Sequence, residues 1–145
     1  MGNSLILLVE DNKDDEFLML RALRKAGVDA EVHVAADGVE ALDFLLGPDG
    51  AGAKRLPDLV ILDLKMPRLS GHEVLARLQE DATGRLIPVV VLTSSDDASD
   101  IRKAYELGAN SYVRKPSHAT ELASVAEFLK EYWLNLNQGI RSKET

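Results

Sequence analysis

Five polar residues stand where short apolar runs end. Glu10 and Asp11 follow run 5–9, Asp63 follows run 59–62, Thr93 closes run 89–92, and Lys115 comes just after run 112–113. Each has a plain role available. An acid after a strand often caps a helix or faces its dipole, a threonine there is a good strand former, and a loop lysine is usually solvated. Asp63 fits such a role least, because an ionised carboxylate beside a buried run needs a partner. Together the five residues suggest a chemistry. Clustered carboxylates repel one another and raise at least one pKa unless a cation intervenes. Mg²⁺ suits them, since it takes oxygen ligands, keeps several waters and commonly sits between one or two carboxylates and a phosphate. The lysine would then meet the remaining phosphate charge, and the threonine hydroxyl would donate to a phosphate oxygen. Phosphoryl transfer depends mainly on such alignment and charge neutralisation. Asp63 would be the nucleophile, forming an acyl phosphate that water can later hydrolyse.

The elements that must position these groups recur along the chain. Apolar runs at 5–9, 32–35, 59–62, 89–92 and 112–113 start 27, 27, 30 and 23 residues apart, close to the size of a βαβ unit. Three are almost unbroken Val, Ile and Leu, as strands covered on both faces require. Helical spacing fills the gaps. Phe17, Leu20 and Leu23 mark a helix over 14–26, and Val39, Leu42 and Leu46 one over 38–46. Val74, Leu75 and Leu78 mark a third; Ile101, Ala104 and Tyr105 a fourth. Leu122, Val125, Leu129, Trp133 and Leu136 give a fifth over 119–136. Strict alternation predicts an α/β fold, a doubly wound parallel sheet with helices on both faces. Ligands of such sheets bind beyond the carboxyl ends of the strands, where the five polar residues fall. Residues 1–136 read as one domain with an extended last helix. Residues 137–145 read as a loose polar tail, and 47–54, rich in Gly and Ala, as a flexible loop.

Composition narrows the function classes. The net charge of −7 opposes binding to a nucleic-acid backbone. No apolar stretch nears the length of a membrane span. The start Met1-Gly2 lacks the Ser or Thr that myristoylation wants where Ile6 stands, and no cleavable leader is visible. There is no cysteine, hence no thiol nucleophile or disulfide, and cytoplasmic residence is the default. His33, His72 and His118 are too dispersed for a metal cluster. No Gly-rich loop follows the first strand, which disfavours dinucleotide binding.

Four segments taken in order resemble the receiver domain of two-component response regulators, over about residues 5–133. They are Leu8-Val9-Glu10-Asp11-Asn12; Asp58 to Pro67 with Gly71; Val91-Leu92-Thr93-Ser94; and Gly108-Ala109 through Tyr112-Val113-Arg114-Lys115-Pro116. The resemblance implies a flavodoxin-like sheet of order 2-1-3-4-5. It implies that Asp63 takes its phosphoryl group from a phosphohistidine on a sensor histidine kinase. Mg²⁺ would be held by Asp11, Asp63 and the backbone carbonyl of Lys65, with Glu10 acting partly through water, while Thr93 and Lys115 bind the phosphoryl oxygens. Thr93 and Tyr112 would be the switch, changing the face made by the fourth helix, fifth strand and fifth helix. Lys115-Pro116 matches a place where receivers commonly carry a cis peptide. The long 47–54 loop, the stretch 105–110 and the extended last helix ending Tyr132-Trp133 are similar to stand-alone receivers paired with phytochrome-type kinases, so a bacteriophytochrome is the expected partner.

Two departures bear on the lifetime of a phosphorylated state. Lys65 places a cation where hydrolytic water must approach, and Ser95 is small and neutral. The chain is expected to be a switch rather than an enzyme, with slow autodephosphorylation at most. A Mg²⁺-dependent aspartyl phosphohydrolase is the alternative, but such enzymes usually need an acid where Lys65 stands. A receiver-like scaffold independent of phosphorylation is another, opposed by the intact set Glu10, Asp11, Asp63, Thr93 and Lys115. The last helix, 18 residues and roughly 27 Å long, is expected to overhang the sheet, with Tyr132, Trp133 and Leu136 as candidate homodimer contacts.

Overall fold

The computed structural model describes residues 4–48, 52–53 and 55–140. Five parallel strands, β1 (Leu5–Val9), β2 (Glu31–Ala35), β3 (Leu59–Leu62), β4 (Val89–Thr93) and β5 (Ser111–Arg114), form one sheet in the order β2-β1-β3-β4-β5. Helices α1 (Lys13–Lys25), α2 (Gly38–Leu46), α3 (Gly71–Gln79), α4 (Ala98–Glu106) and α5 (Ala119–Leu129) alternate with them. This is the flavodoxin-like arrangement expected from the sequence.

Alternate residues of the three central strands serve opposite layers, as the strand period of two dictates. Leu7, Val9, Val60, Leu62, Val89 and Val91 pack with Leu42, Leu45, Leu75, Leu78 and Ala104 of α2, α3 and α4. Ile6, Leu8, Leu59, Ile61, Val90 and Leu92 pack with Met19, Leu23, Ala126 and Leu129 of α1 and α5. These strands read as unbroken apolar runs because neither face meets water.

Helix starts are capped by side chains. Asn12 accepts from the Asp15 amide at 2.9 Å, and Asp14, Asp15 and Glu16 lie in the positive first turn of α1. Glu10 and Asp11 are therefore not the cap, and the plain role considered for them is taken by their neighbour. Ser70 and Glu73 close a capping box on α3.

The expected continuous α-helix over 119–136 needs correction. The α form ends at Leu129, and Lys130–Leu136 is a π-helix. From this segment Lys130 Nζ donates to the carbonyl of Ala26 at 2.9 Å, satisfying the end of α1. Trp133 and Leu134 pack on the α1/α5 layer, so Trp133 turns back onto its own domain rather than overhanging it. Tyr132 and Leu136 remain exposed, with Phe128 beside them in sequence terms one turn earlier. The Lys115-Pro116 peptide is trans, since the described residues contain no cis bond. The loop expected over 47–54 lies partly outside the described residues; of those described, the Gly52 amide donates to the Leu46 carbonyl at 2.6 Å. Of the tail, 141–145 also lie outside the described residues, while Gly139 and Ile140 lie with Leu56, Pro57, Ile87 and Pro88 around a small pocket.

Candidate functional site

The carboxyl ends of β1, β3, β4 and β5 meet at one rim. There Lys115 Nζ donates to Glu10 Oε1 at 2.7 Å, to Asp15 Oδ2 at 2.9 Å and to Asp63 Oδ2 at 3.3 Å. Backbone bonds fix the approach: the Asp63 amide donates to Val9 at 3.1 Å, the Glu10 amide to Ala35 at 3.0 Å, and the Lys115 amide to Thr93 at 2.7 Å. Gly71, at the start of α3, lies so close to the Asp63 carbonyl that a Cβ would collide with it. That contact requires glycine for proximity, not for an unusual φ.

Carboxylate oxygens of Glu10, Asp11 and Asp63 lie within 4.8 Å of one another. Among the described residues this is the one group of three or more potential ligating side chains. The donor set is all oxygen, and ligands opposite each other on Mg²⁺ are about 4 Å apart given bonds of about 2.1 Å. The residues fit such an ion. Asp63 and Glu10 are buried and Asp11 is exposed, so the cluster opens to solvent at one corner.

Burial pushes the Glu10 carboxyl up to about 7; the hydrogen bond from Lys115 opposes this, and the nearby Asp63 charge adds to it. For Lys115, burial disfavours the charge, but the bonds to Glu10 and Asp15 outweigh it and hold the pKa above the ordinary lysine value. The ammonium therefore stays charged through the physiological range. A raised acid pKa means the metal-free fold binds a proton that the unfolded chain, near 4.5, releases. Stability from Glu10 is thus fully present below 4.5 and is lost as pH rises through about 7. The loss is at most on the order of 3 kcal/mol, at about 1.4 kcal/mol per unit. Urea unfolding in chelator at pH 5 and pH 8 should show that decline, and Glu10→Gln should flatten it. Stabilisation by added Mg²⁺ should run the other way, being larger at pH 8, because protons compete for the same oxygens.

Thr93 is wholly buried, and its hydroxyl has no hydrogen-bond partner. An unpaired buried hydroxyl is costly, and this one lies at the end of β4 on the same rim. Tyr112 is half-buried and its hydroxyl donates to the Ser95 carbonyl at 2.9 Å; burial pushes its phenol up. Lys65 follows in the loop after β3 with its side chain exposed. Its amide reaches Asp63 Oδ1 only at 3.5 Å. Ser95 turns its hydroxyl to Asp100 instead of into the acid cluster. Asp15 went unmarked in the sequence, where it falls inside the helix over 14–26. The spacing Asp11 to Asp15 is one helical turn, but nothing local shows that Lys115 arrives 100 residues later. The histidines are dispersed as expected: His33 stacks on Phe44 at 4.3 Å, His72 meets the Asp100 carbonyl, and His118 precedes α5.

The chain is similar to known proteins in sequence and in fold. The model of the response regulator receiver domain matches residues 6–127. The probable methanogenesis regulatory protein FilR2 of Methanothrix harundinacea is 42% identical over 134 residues, 92% of this chain and 86% of FilR2. The response regulator Rcp1 of Synechocystis is 35% identical over 130 residues, 90% of this chain and 88% of Rcp1. Its Mn²⁺-bound crystal structure aligns with a TM-score of 0.82 at 34% identity, covering 94% of this chain and 98% of that one. The phosphorylated cyanobacterial phytochrome response regulator RcpA aligns with a TM-score of 0.86 at 39% identity, covering 95% and 99%. No helix among the described residues is long and apolar enough to cross a membrane. With its fold, its acidic rim and a family match over most of its length, the chain belongs to the receiver domains of two-component response regulators.

Proposed function

We propose that this receiver accepts a phosphoryl group on Asp63 from a sensor histidine kinase of phytochrome type, in the cytoplasm, and passes the signal on by changing its partner contacts. The observation that carries the reading is the Asp63 carboxylate itself, buried, 3.3 Å from Lys115 and clustered with Glu10 and Asp11. The likeness to RcpA, a phytochrome response regulator, supports the choice of kinase, and Mn²⁺-bound Rcp1 supports a divalent ion.

Glu10, Asp11, Asp63 and the Lys65 carbonyl would hold Mg²⁺, which when bound neutralises charge on the phosphoryl oxygens. An Asp63 oxygen forms the new P–O bond as the P–N bond of the donor phosphohistidine breaks. The imidazole leaves with that electron pair and takes up a proton. Lys115 turns from its carboxylates to the phosphoryl oxygens, and Thr93 Oγ1 gains the acceptor it lacks. Tyr112 follows, leaving the Ser95 carbonyl. The protein is a switch rather than a turnover enzyme, and Lys65 stands where an aspartyl phosphohydrolase would carry its acid. Incubation with light-regulated histidine kinases and with acetyl phosphate, in Mg²⁺ buffer, should add one phosphoryl group. A chain left unmodified by both donors overturns the reading.

Two copies of the chain pair as a homodimer through the α4–β5–α5 face. Phe128 and Tyr132 are exposed and lie beside Asn110, Ser111 and Val113 of the β5 segment, and Tyr105 of α4 and Leu136 are exposed as well. Tyr132 meets Trp133 edge-on at 4.8 Å, so Trp133 serves as its support. Sedimentation should show a dimer that Tyr132→Glu with Leu136→Glu converts to monomer. Trp133→Ala is the poorer probe, because it also removes core packing. A wild type that sediments as a monomer removes the dimer claim.

A further inference from the structure

The loop between Thr93 and Ala98 is tied down more firmly than its exposure suggests, and the knot is Ser95. Its carbonyl accepts from Tyr112 on β5 at 2.9 Å. Its hydroxyl donates to the Asp100 carboxylate on α4 at 2.7 Å and accepts from the Asp97 amide at 3.2 Å. Asp100 is held in turn: its own carbonyl meets His72 Nε2 at 3.2 Å. His72 directly follows Gly71, the residue packed against the Asp63 carbonyl. A chain of contacts therefore runs from the phosphoacceptor loop through α3 and the first turn of α4 to the loop that follows Thr93.

We propose that the hydrogen bond from Ser95 to Asp100 is a latch that keeps this loop in its resting conformation, making Asp100 a positioning residue for the switch. The inference rests on Asp63 being the phosphoacceptor. Thr93 Oγ1 has no hydrogen-bond partner at rest and gains one by approaching a phosphoryl oxygen. The backbone two residues on cannot follow while its side chain is held by a short, charge-assisted bond to a helix. The resting state keeps that bond and leaves Thr93 unsatisfied; the phosphorylated state reverses the choice. Two such arrangements of one loop form a two-state element, and each bond biases the equilibrium. The simpler role for Asp100, an acid near the positive end of α4, would make no contribution to that equilibrium.

The two roles separate with beryllofluoride as the phosphoryl mimic, added with Mg²⁺ to wild type, Ser95→Ala, Asp100→Ala and the double variant. Freed of the latch, Ser95→Ala should bind beryllofluoride about tenfold more tightly, the effect of one net charge-assisted hydrogen bond. Asp100→Ala should show a similar gain and the double variant no further one, because both remove the same bond. Affinity for Mg²⁺ alone should stay at the wild-type value, and the Thr93 amide and Tyr112 ring resonances of free Ser95→Ala should move toward their beryllofluoride-bound positions. Equal or weaker binding by Ser95→Ala, or independent effects that multiply in the double variant, overturns the latch. Wild type that binds no beryllofluoride instead removes the phosphoacceptor reading beneath it, before any variant is compared.

Discussion

Asp63→Asn should take up no phosphoryl group from kinase or acetyl phosphate, yet unfold at a higher temperature than wild type in metal-free buffer. The first half follows because an amide oxygen is a poor nucleophile. The second follows from the charges. Lys115 faces three acids, and its bonds to Glu10 and Asp15, at 2.7 and 2.9 Å, are shorter than the 3.3 Å bond to Asp63. Neutralising Asp63 removes the weakest of the three attractions and with it the repulsion that, after burial, helps raise the Glu10 pKa. A gain of about 1 kcal/mol would shift the midpoint by a few degrees. The usual trade of stability for function would then be visible at a single oxygen. Intact-mass measurement and thermal melts in chelator test both halves. A phosphorylated variant would place the acceptor elsewhere, and a lower melting point would mean that attraction to Lys115 outweighs repulsion from Glu10.

Lys115→Met should do the reverse in metal-free buffer and is expected to have the largest effect on stability. Removing one partner of a buried ion pair costs about 3–5 kcal/mol, because the charge left behind has no compensation. Here three carboxylates lose their shared cation at once, although Glu10 can escape part of the cost by holding a proton. The same change should tighten Mg²⁺ binding, since the ammonium competes with the ion for Glu10 and Asp63. Added Mg²⁺ should therefore rescue the variant far more than wild type, by the mass-action relation between ligand concentration and stability. Phosphorylation is scored separately by intact mass, and the phosphorylated variant should lack the Tyr112 movement. Urea titrations in chelator and in millimolar Mg²⁺ decide the matter. Equal midpoints for variant and wild type in chelator would show that Lys115 is not what holds the acids together.

The sheet was legible because its signals are local. Runs 5–9 and 59–62 coincide with β1 and β3, since Val, Ile and Leu without polar interruption have no other use in a chain of this size. β5 was harder: its residues are only half-buried and Arg114 is exposed, so the run shrank to two residues. The acid, threonine and lysine positions were readable because a strand's carboxyl end marks its own location. What those groups touch was not. The pairing of Lys115 with Asp15, the unpaired Thr93 hydroxyl and the bond from Ser95 to Asp100 all depend on tertiary approach. The end of α5 misled for a related reason. Three- and four-residue spacing of Leu129, Trp133 and Leu136 fits an α-helix, while the observed π-helix places Lys130 on the end of α1 and Trp133 on the core, contacts that periodicity does not encode.

The division of β1 between two layers has a consequence for how substitutions combine. Leu8 and Val9 are covalent neighbours, yet one lies among α1 and α5 side chains and the other among those of α2, α3 and α4. Truncating both should cost close to the sum of the separate costs, whereas Leu8 with Ile61, distant in the chain but in one layer, should depart from the sum. Energetic kinship in this protein follows parity along the strand, not proximity along the polypeptide.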